Sequence, residues 1–241
     1  MNRTSSDTPA DLSPDADSLD RLSARALREV PDGALIGLGS GRAATAFVRA
    51  LGRRVRDGLR VRGVPTSEAT ARLGREVGVP LAGLDEGVLE LTVDGADEVD
   101  PRLDLIKGYG GALVRERIVA AAARRLIIVV GSEKLVPVLG GRGHLPVEVL
   151  PFAGPLVMRE LAALGCRPTL RTVGGKVFVS DNGNWIVDCG VRPIEAPVPF
   201  ARDLRAIPGV VDTGLFLGMA DLVLVAEAGA VRELRRGPTG A

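Results

Sequence analysis

One histidine, His144, and two cysteines, Cys166 and Cys189, are all that the 241 residues offer of the usual soft metal ligands. The cysteines lack Cys-x-x-Cys spacing and the histidine has no companion ligand nearby, so no metal site is expected and the thiols read as reduced core residues. Apolar runs are short: none approaches the roughly 20 residues of a membrane-spanning helix. Residues 1–18 are acidic and Ser/Pro-rich, unlike a secretory signal, and read as a disordered tail on a cytoplasmic protein with no membrane partner. Charge of one sign is also missing. With 31 basic and 30 acidic side chains the net charge is +1, which leaves no field to hold a nucleic-acid backbone, and no nucleic-acid partner is expected. Lysine is scarcest of all, only Lys107, Lys134 and Lys176 among the 31 basic residues. Where arginine serves as the generic cation, a retained lysine suggests a pocket sized for an ammonium rather than a guanidinium.

What is present is globular. A hydrophobic share of 46% beside 25% charged residues can bury a substantial core, as one large domain or two modest ones. The apolar spacing of 20–29 predicts a short amphipathic helix, ended by Pro31-Asp32-Gly33. Residues 34–38 read as a strand, followed by Gly39-Ser40-Gly41 and a helix over 43–56. Similar alternation follows: strand 59–64 into helix 68–77, strand 89–93 into Asp94-Gly95, then helix 112–124 into strand 126–130. That pattern predicts an α/β fold, a Rossmann-like parallel sheet with helices on both faces. After about residue 140 the texture changes. Residues 147–149, 169–173, 177–179 and 185–189 read as strands around a helix over 154–164, with Asp181-Asn182-Gly183 as a hairpin turn. A smaller α+β, ferredoxin-like lid domain over 143–208 is expected, inserted into an α/β catalytic domain of residues 19–142 and 209–241. The chain should end on a strand over 220–225 and a terminal helix.

Three segments can carry chemistry. Gly37-Leu38-Gly39-Ser40-Gly41 places backbone N–H groups at a helix start, either as a phosphate cradle or simply as a tight turn. It lacks the third glycine of the dinucleotide fingerprint, because Arg42, Ala43 and Ala44 follow. Asp94-Gly95-Ala96-Asp97-Glu98 sets acids at a strand's carboxyl end, where open α/β sheets bind ligands, although an Asp-rich capping turn would look the same. Lys107-Gly108-Tyr109-Gly110-Gly111-Ala112-Leu113-Val114-Arg115-Glu116 combines a close-approach glycine turn with a helix start, and Glu116 taken alone reads as a solvated helix residue. Lys134 lies after the strand over 126–130, again at a carboxyl end.

Together with Pro65-Thr66-Ser67, Ser132-Glu133-Lys134, Leu145-Pro146-Val147-Glu148-Val149, Asp181-Asn182-Gly183-Asn184 and Pro208-Gly209-Val210-Val211-x-x-Gly214-Leu215-Phe216, these segments resemble the ribose-5-phosphate isomerase A family, in order and over nearly the whole chain. The resemblance implies an aldose–ketose isomerase of the non-oxidative pentose phosphate pathway, without metal or cofactor, acting on a sugar phosphate as a homodimer or homotetramer. It implies Glu116 as catalytic base, with Asp94, Asp97 and Lys107 around the sugar. Substrate contacts are implied at Ser40, Gly41, Arg42, Ala43, Gly95, Ala96, Gly108, Gly110, Gly111 and Lys134. Where the family commonly reads Thr-Gly-Ser-Thr this chain reads Ser40-Gly41-Arg42-Ala43, losing two hydroxyls, and Arg42 offers charge instead. The family's first-helix lysine has only Arg21 and Arg25 in its place, so that contact is not carried over. The rival readings are another sugar-phosphate or acyl-CoA-transferring enzyme on a similar fold and a non-catalytic sugar-phosphate sensor. A sensor needs no base, and a nucleotide-binding dehydrogenase needs the fingerprint that is missing here.

Overall fold

The computed structural model describes residues 14–236. Most of the expected tail, residues 1–13, lies outside the described residues; the rest of it is ordered. The first helix is Ala16–Leu27, starting before the expected residue 20 because Asp15 caps it, accepting the Ser18 N–H at 2.8 Å.

Six strands form the larger sheet, in the order Ala230–Arg235, Leu222–Glu227, Leu126–Gly131, Leu91–Asp94, Ala34–Leu38, Val61–Pro65. All pairs are parallel except the first. The central strands are buried along their whole length, as their continuous apolar runs require when both faces are covered. One face packs Leu22, Phe47, Leu51 and Leu73, from the helices Ala16–Leu27, Arg42–Arg56 and Glu68–Glu76, onto Ile36, Leu38, Val93 and Val129. On the other, Val119 of the helix Leu113–Ala121 meets Leu35 and Leu89. Phe216 and Leu105 of a short three-stranded ladder cover Ile128, Val130 and Val223.

The expected terminal helix is a strand. Ala230–Arg235 folds back on Leu222–Glu227, with Glu227 opposite Ala230 across a two-residue turn. Val231 packs into the cluster on one face of the sheet and Leu234 into that on the other, which strand alternation permits and a single helical stripe would not.

The inserted domain runs strand His144–Val149, helix Gly154–Ala163, strand Arg167–Leu170, strand Trp185–Gly190, helix Pro197–Arg205, strand Val210–Thr213. The four strands pair antiparallel in the order fourth, first, third, second, the ferredoxin-like arrangement. Its core joins Val157, Leu161, Ala201 and Leu204 of the helices to Leu145, Val147, Val187 and Cys189 of the sheet. Cys166 and Cys189 are free and buried. Because Val210 pairs with Val149, Val210–Thr213 is the fourth strand of this sheet, and the return to the larger domain follows Thr213 rather than residue 209.

Two segments quoted above for their sequence alone meet inside this domain. Glu148, fully buried, accepts hydrogen bonds on Oε1 from Ser180 Oγ (2.9 Å), Asn182 Nδ2 (3.0 Å) and Asn184 Nδ2 (2.9 Å). The same turn ties the domains together. Asp181 Oδ2 accepts the Glu68 N–H at 2.8 Å, at the start of a large-domain helix, and Arg115 bonds Asn182 Oδ1, the Asp181 carbonyl and Glu68 Oε1, each at 2.9 Å.

Candidate active site

The first glycine turn and the acidic loop are one structure. The Gly39 N–H bonds to the Val93 carbonyl at 2.9 Å, and a Cβ at Gly39 would stand 2.5 Å from the Cα of Asp94 and 2.3 Å from its Oδ1. Only glycine lets the two backbones approach so closely. Asp94 then accepts on Oδ1 the N–H groups of Ser40 (3.0 Å) and Gly95 (2.7 Å). Beyond it the helix Arg42–Arg56 opens with Gly41 as its N-cap and no side-chain capping bond. Its first N–H groups are therefore free for an anion.

Lys107 follows the strand Leu105–Ile106 and is 3% exposed. Its Nζ stands 3.0 Å from Asp94 Oδ2 and 3.4 Å from Glu116 Oε1, and it donates to the Gly95 carbonyl. Burial alone would lower its pKa; the carboxylates of Asp94 and Glu116 outweigh that and raise it, so the ammonium stays charged. Glu116 lies in the first turn of the helix Leu113–Ala121 and is buried. Its Oε2 has no hydrogen-bond partner among the described residues. Burial pushes its carboxyl up to about 8, against the lowering pull of Lys107. Asp97 accepts the Tyr109 N–H on Oδ2 at 2.9 Å, and its pKa is raised by burial, with that N–H, Lys107 and Lys134 pulling the other way.

A pocket opens above these groups. Ser40, Gly41, Arg42 and Ala43 form one wall; Gly95, Ala96, Asp97, Lys107, Gly108, Gly110, Glu116 and Lys134 line much of the remainder, which Pro14, Leu19, residues 129–131 and Glu133 complete. Two expected contacts lie off it. Asp94 is fully buried beneath Lys107, its oxygens taken by two N–H groups and the ammonium. Gly111 faces the Phe178 ring, which a Cβ there would meet at 2.5 Å. Two side chains at the phosphate wall already have partners within the protein. Arg42 donates to the Pro14 carbonyl, and Ser40 Oγ sits among Thr66 Oγ1 (2.8 Å), Ser67 Oγ (2.9 Å) and Thr70 Oγ1 (3.2 Å). What this wall presents to a ligand is mainly backbone. Among the described residues no group of three His, Cys, Asp or Glu side chains is placed to hold a metal ion.

The family described as "Ribose 5-phosphate isomerase A (phosphoriboisomerase A)" matches this chain over residues 62–229. The ribose-5-phosphate isomerase A of Roseiflexus sp. (strain RS-1) is 50% identical over 218 residues, covering 89% of this chain and 94% of that protein. The chain belongs to the ribose-5-phosphate isomerase A family. Solved members agree with it in three dimensions. The ribose 5-phosphate isomerase A of Methanocaldococcus jannaschii superposes with a TM-score of 0.87 at 38% identity, over 91% of this chain and 98% of the other. A D-ribose-5-phosphate isomerase in complex with phospho-erythronic acid gives 0.88 at 36%, over the same shares.

Reading the sequence of this family member identified the glycine turn, the acidic loop and the Lys107–Glu116 segment, and the structure brings all three to one pocket. It assigned nothing to Thr70, Phe178 or Arg171. Thr66 and Ser67 stood in a quoted motif without a role, and their hydroxyls were the available signal. Arg171 is one arginine in an arginine-rich chain and carried no signal.

Proposed function

We propose that the pocket between the Ser40–Ala43 turn, the Asp94–Asp97 loop and the Lys107–Glu116 segment is where this chain, an aldose–ketose isomerase by family, interconverts D-ribose 5-phosphate and D-ribulose 5-phosphate. The observation that carries the assignment is Glu116: a buried carboxyl with one unpartnered oxygen, raised pKa and a lysine ammonium 3.4 Å from its other oxygen. A base of that kind holds a proton weakly enough to return it and strongly enough to take it.

Glu116 takes the proton from C2 of the open-chain aldose and delivers it to C1. The negative charge that develops on the oxygens of the enediolate is met by Lys107 and by the Gly110 N–H of the Gly108–Gly111 turn, donors already in place before the step. Asp97, on the pocket wall, handles hydroxyl protons and ring opening. Asp94 acts from below by fixing Lys107 and the two loops. The phosphate sits against the N–H groups at the start of the helix Arg42–Arg56, the Ser40 N–H being held by Asp94, with Lys134 opposite. The complex of a relative with phospho-erythronic acid, a phosphorylated sugar acid, supports a site of this chemistry. Work in the cytoplasm fits the metabolic role.

The exposed apolar cluster of Leu150 (50%), Phe152 (100%) and Val211 (40%) supports assembly into a homodimer or homotetramer. The test of the site is Glu116→Gln. Wild type should convert ribose 5-phosphate in the presence of EDTA and incorporate deuterium at C1 of the ketose in D₂O. The variant should lose kcat by about 10²–10⁴-fold with a smaller change in affinity. Full turnover and exchange in the variant would place the base elsewhere.

A further inference from the structure

Arg171 interrupts a strand of the inserted domain, between Arg167–Leu170 and Thr172–Val173, and points at the other domain. Asp188 holds its guanidinium on two sides, accepting from Nε at 2.8 Å and from the second terminal nitrogen. The remaining terminal nitrogen donates to two main-chain carbonyls of the glycine-rich segment, Gly108 at 3.1 Å and Tyr109 at 2.9 Å. The side chain is 12% exposed, so these bonds form with little water to compete.

Residues 108–111 make a β-turn, closed by the Gly111 N–H on the Gly108 carbonyl at 2.9 Å. Neither central residue, Tyr109 or Gly110, has a positive φ, which is the type I form. Type II differs by a flip of the peptide between them and needs a positive φ at the second position, which glycine adopts without steric cost. The turn therefore has two accessible states that differ in what the Tyr109–Gly110 peptide presents. Peptide planarity sets C=O and N–H on opposite sides. With both carbonyls on Arg171, the two N–H groups point away from it, and that of Tyr109 lands on Asp97. The Gly110 N–H has no hydrogen-bond partner among the described residues, and Gly110 lines the pocket. In the flipped state a carbonyl oxygen would take its place and repel an anion.

We propose that Arg171, held by Asp188, is a positioning residue that locks the Gly108–Gly111 turn with the Gly110 N–H facing the pocket as a donor to the developing enediolate. This rests on the reading of the pocket given above. The lock acts on the transition state more than on substrate binding, so it belongs in kcat.

The experiment is a pair of variants assayed for kcat, KM and melting temperature. Arg171→Met should lower kcat by about 10²-fold, the usual cost of one such donor, with KM within about threefold of wild type. Gly110→Ala is then added. A Cβ at Gly110 meets nothing within 4 Å, and alanine disfavours the positive φ of the flipped turn. The double variant should regain at least about tenfold in kcat over Arg171→Met, although it restores no contact to Asp188. A purely structural arginine would lower the melting temperature and gain nothing from Gly110→Ala. Wild-type kcat in folded Arg171→Met, or no gain in the double variant, overturns the lock. Glu116→Gln in parallel separates the two ideas: if it is inactive while Arg171→Met is not impaired, only the lock has failed, and if it is fully active, the reading of the pocket has failed first.

Discussion

Lys107 shows why one cation type is not exchangeable for another. Its ammonium meets Asp94, Glu116 and the Gly95 carbonyl within a space that leaves the side chain 3% exposed. A guanidinium is wider and planar, and overfilling a packed site typically costs about 1–3 kcal/mol of stability. Lys107→Arg is expected to reduce kcat strongly and to lower the melting temperature by several degrees; a normal rate with an unchanged melting curve would make Lys107 a generic charge. Glu116 yields a second expectation, in pH. As a base it must be ionised, so kcat/KM of the free enzyme should climb about tenfold per pH unit and level off near the carboxyl's value of about 8. Stability runs the opposite way. A carboxyl raised from 4.5 to about 8 on folding favours the folded state while protonated, and that contribution is lost as pH rises through about 8. Denaturant unfolding at several pH values should show Glu116→Gln gaining on wild type between pH 4.5 and 8. A constant difference across that window would mean that Glu116 is not shifted.

At the scale of elements, most strands and helices follow from periodicity, because both faces of the larger sheet are buried at its centre and the central strands must be continuously apolar. The strand Ala34–Leu38 and the helix Arg42–Arg56 were legible to within a residue. The terminal strand was not: Ala230–Arg235 is mostly exposed and polar, and only pairing with Leu222–Glu227 makes it a strand. The same limit applies to the site. Asp94 and Asp97 look alike in sequence, and their division into a buried anchor and a wall residue comes from which N–H groups reach them. Glu148 offers a test at this scale. Glu148→Ala leaves the buried hydroxyl of Ser180 without its acceptor, a loss of about 1–3 kcal/mol, and frees the amides of exposed Asn182 and half-buried Asn184, which water can partly satisfy. Glu148→Gln keeps one oxygen for them. The alanine variant should therefore melt far below the glutamine variant. Equal melting temperatures would show the turn holding itself.

For the whole molecule, the exposed cluster around Phe152 gives an expectation that needs no assay of activity. If Leu150, Phe152 and Val211 meet a second copy, Phe152→Asp should shift the mass by light scattering toward the monomer while the monomer stays folded; an unchanged assembly would move the interface elsewhere on the surface. The order of the larger sheet has another consequence. Leu222–Glu227 lies between Leu126–Gly131 and the edge strand Ala230–Arg235, yet the whole ferredoxin-like insert comes before it in the chain. During synthesis from the N-terminus, Leu126–Gly131 is made early and must wait with one flank of backbone donors and acceptors unpaired until about a hundred further residues have been added. The insert can close on itself in that interval, because all four of its strands pair only with one another. Release of an early fragment at the end of the first half would therefore present a long apolar edge to any neighbour, and the danger of misassembly for this chain lies in interrupted translation rather than in the finished fold.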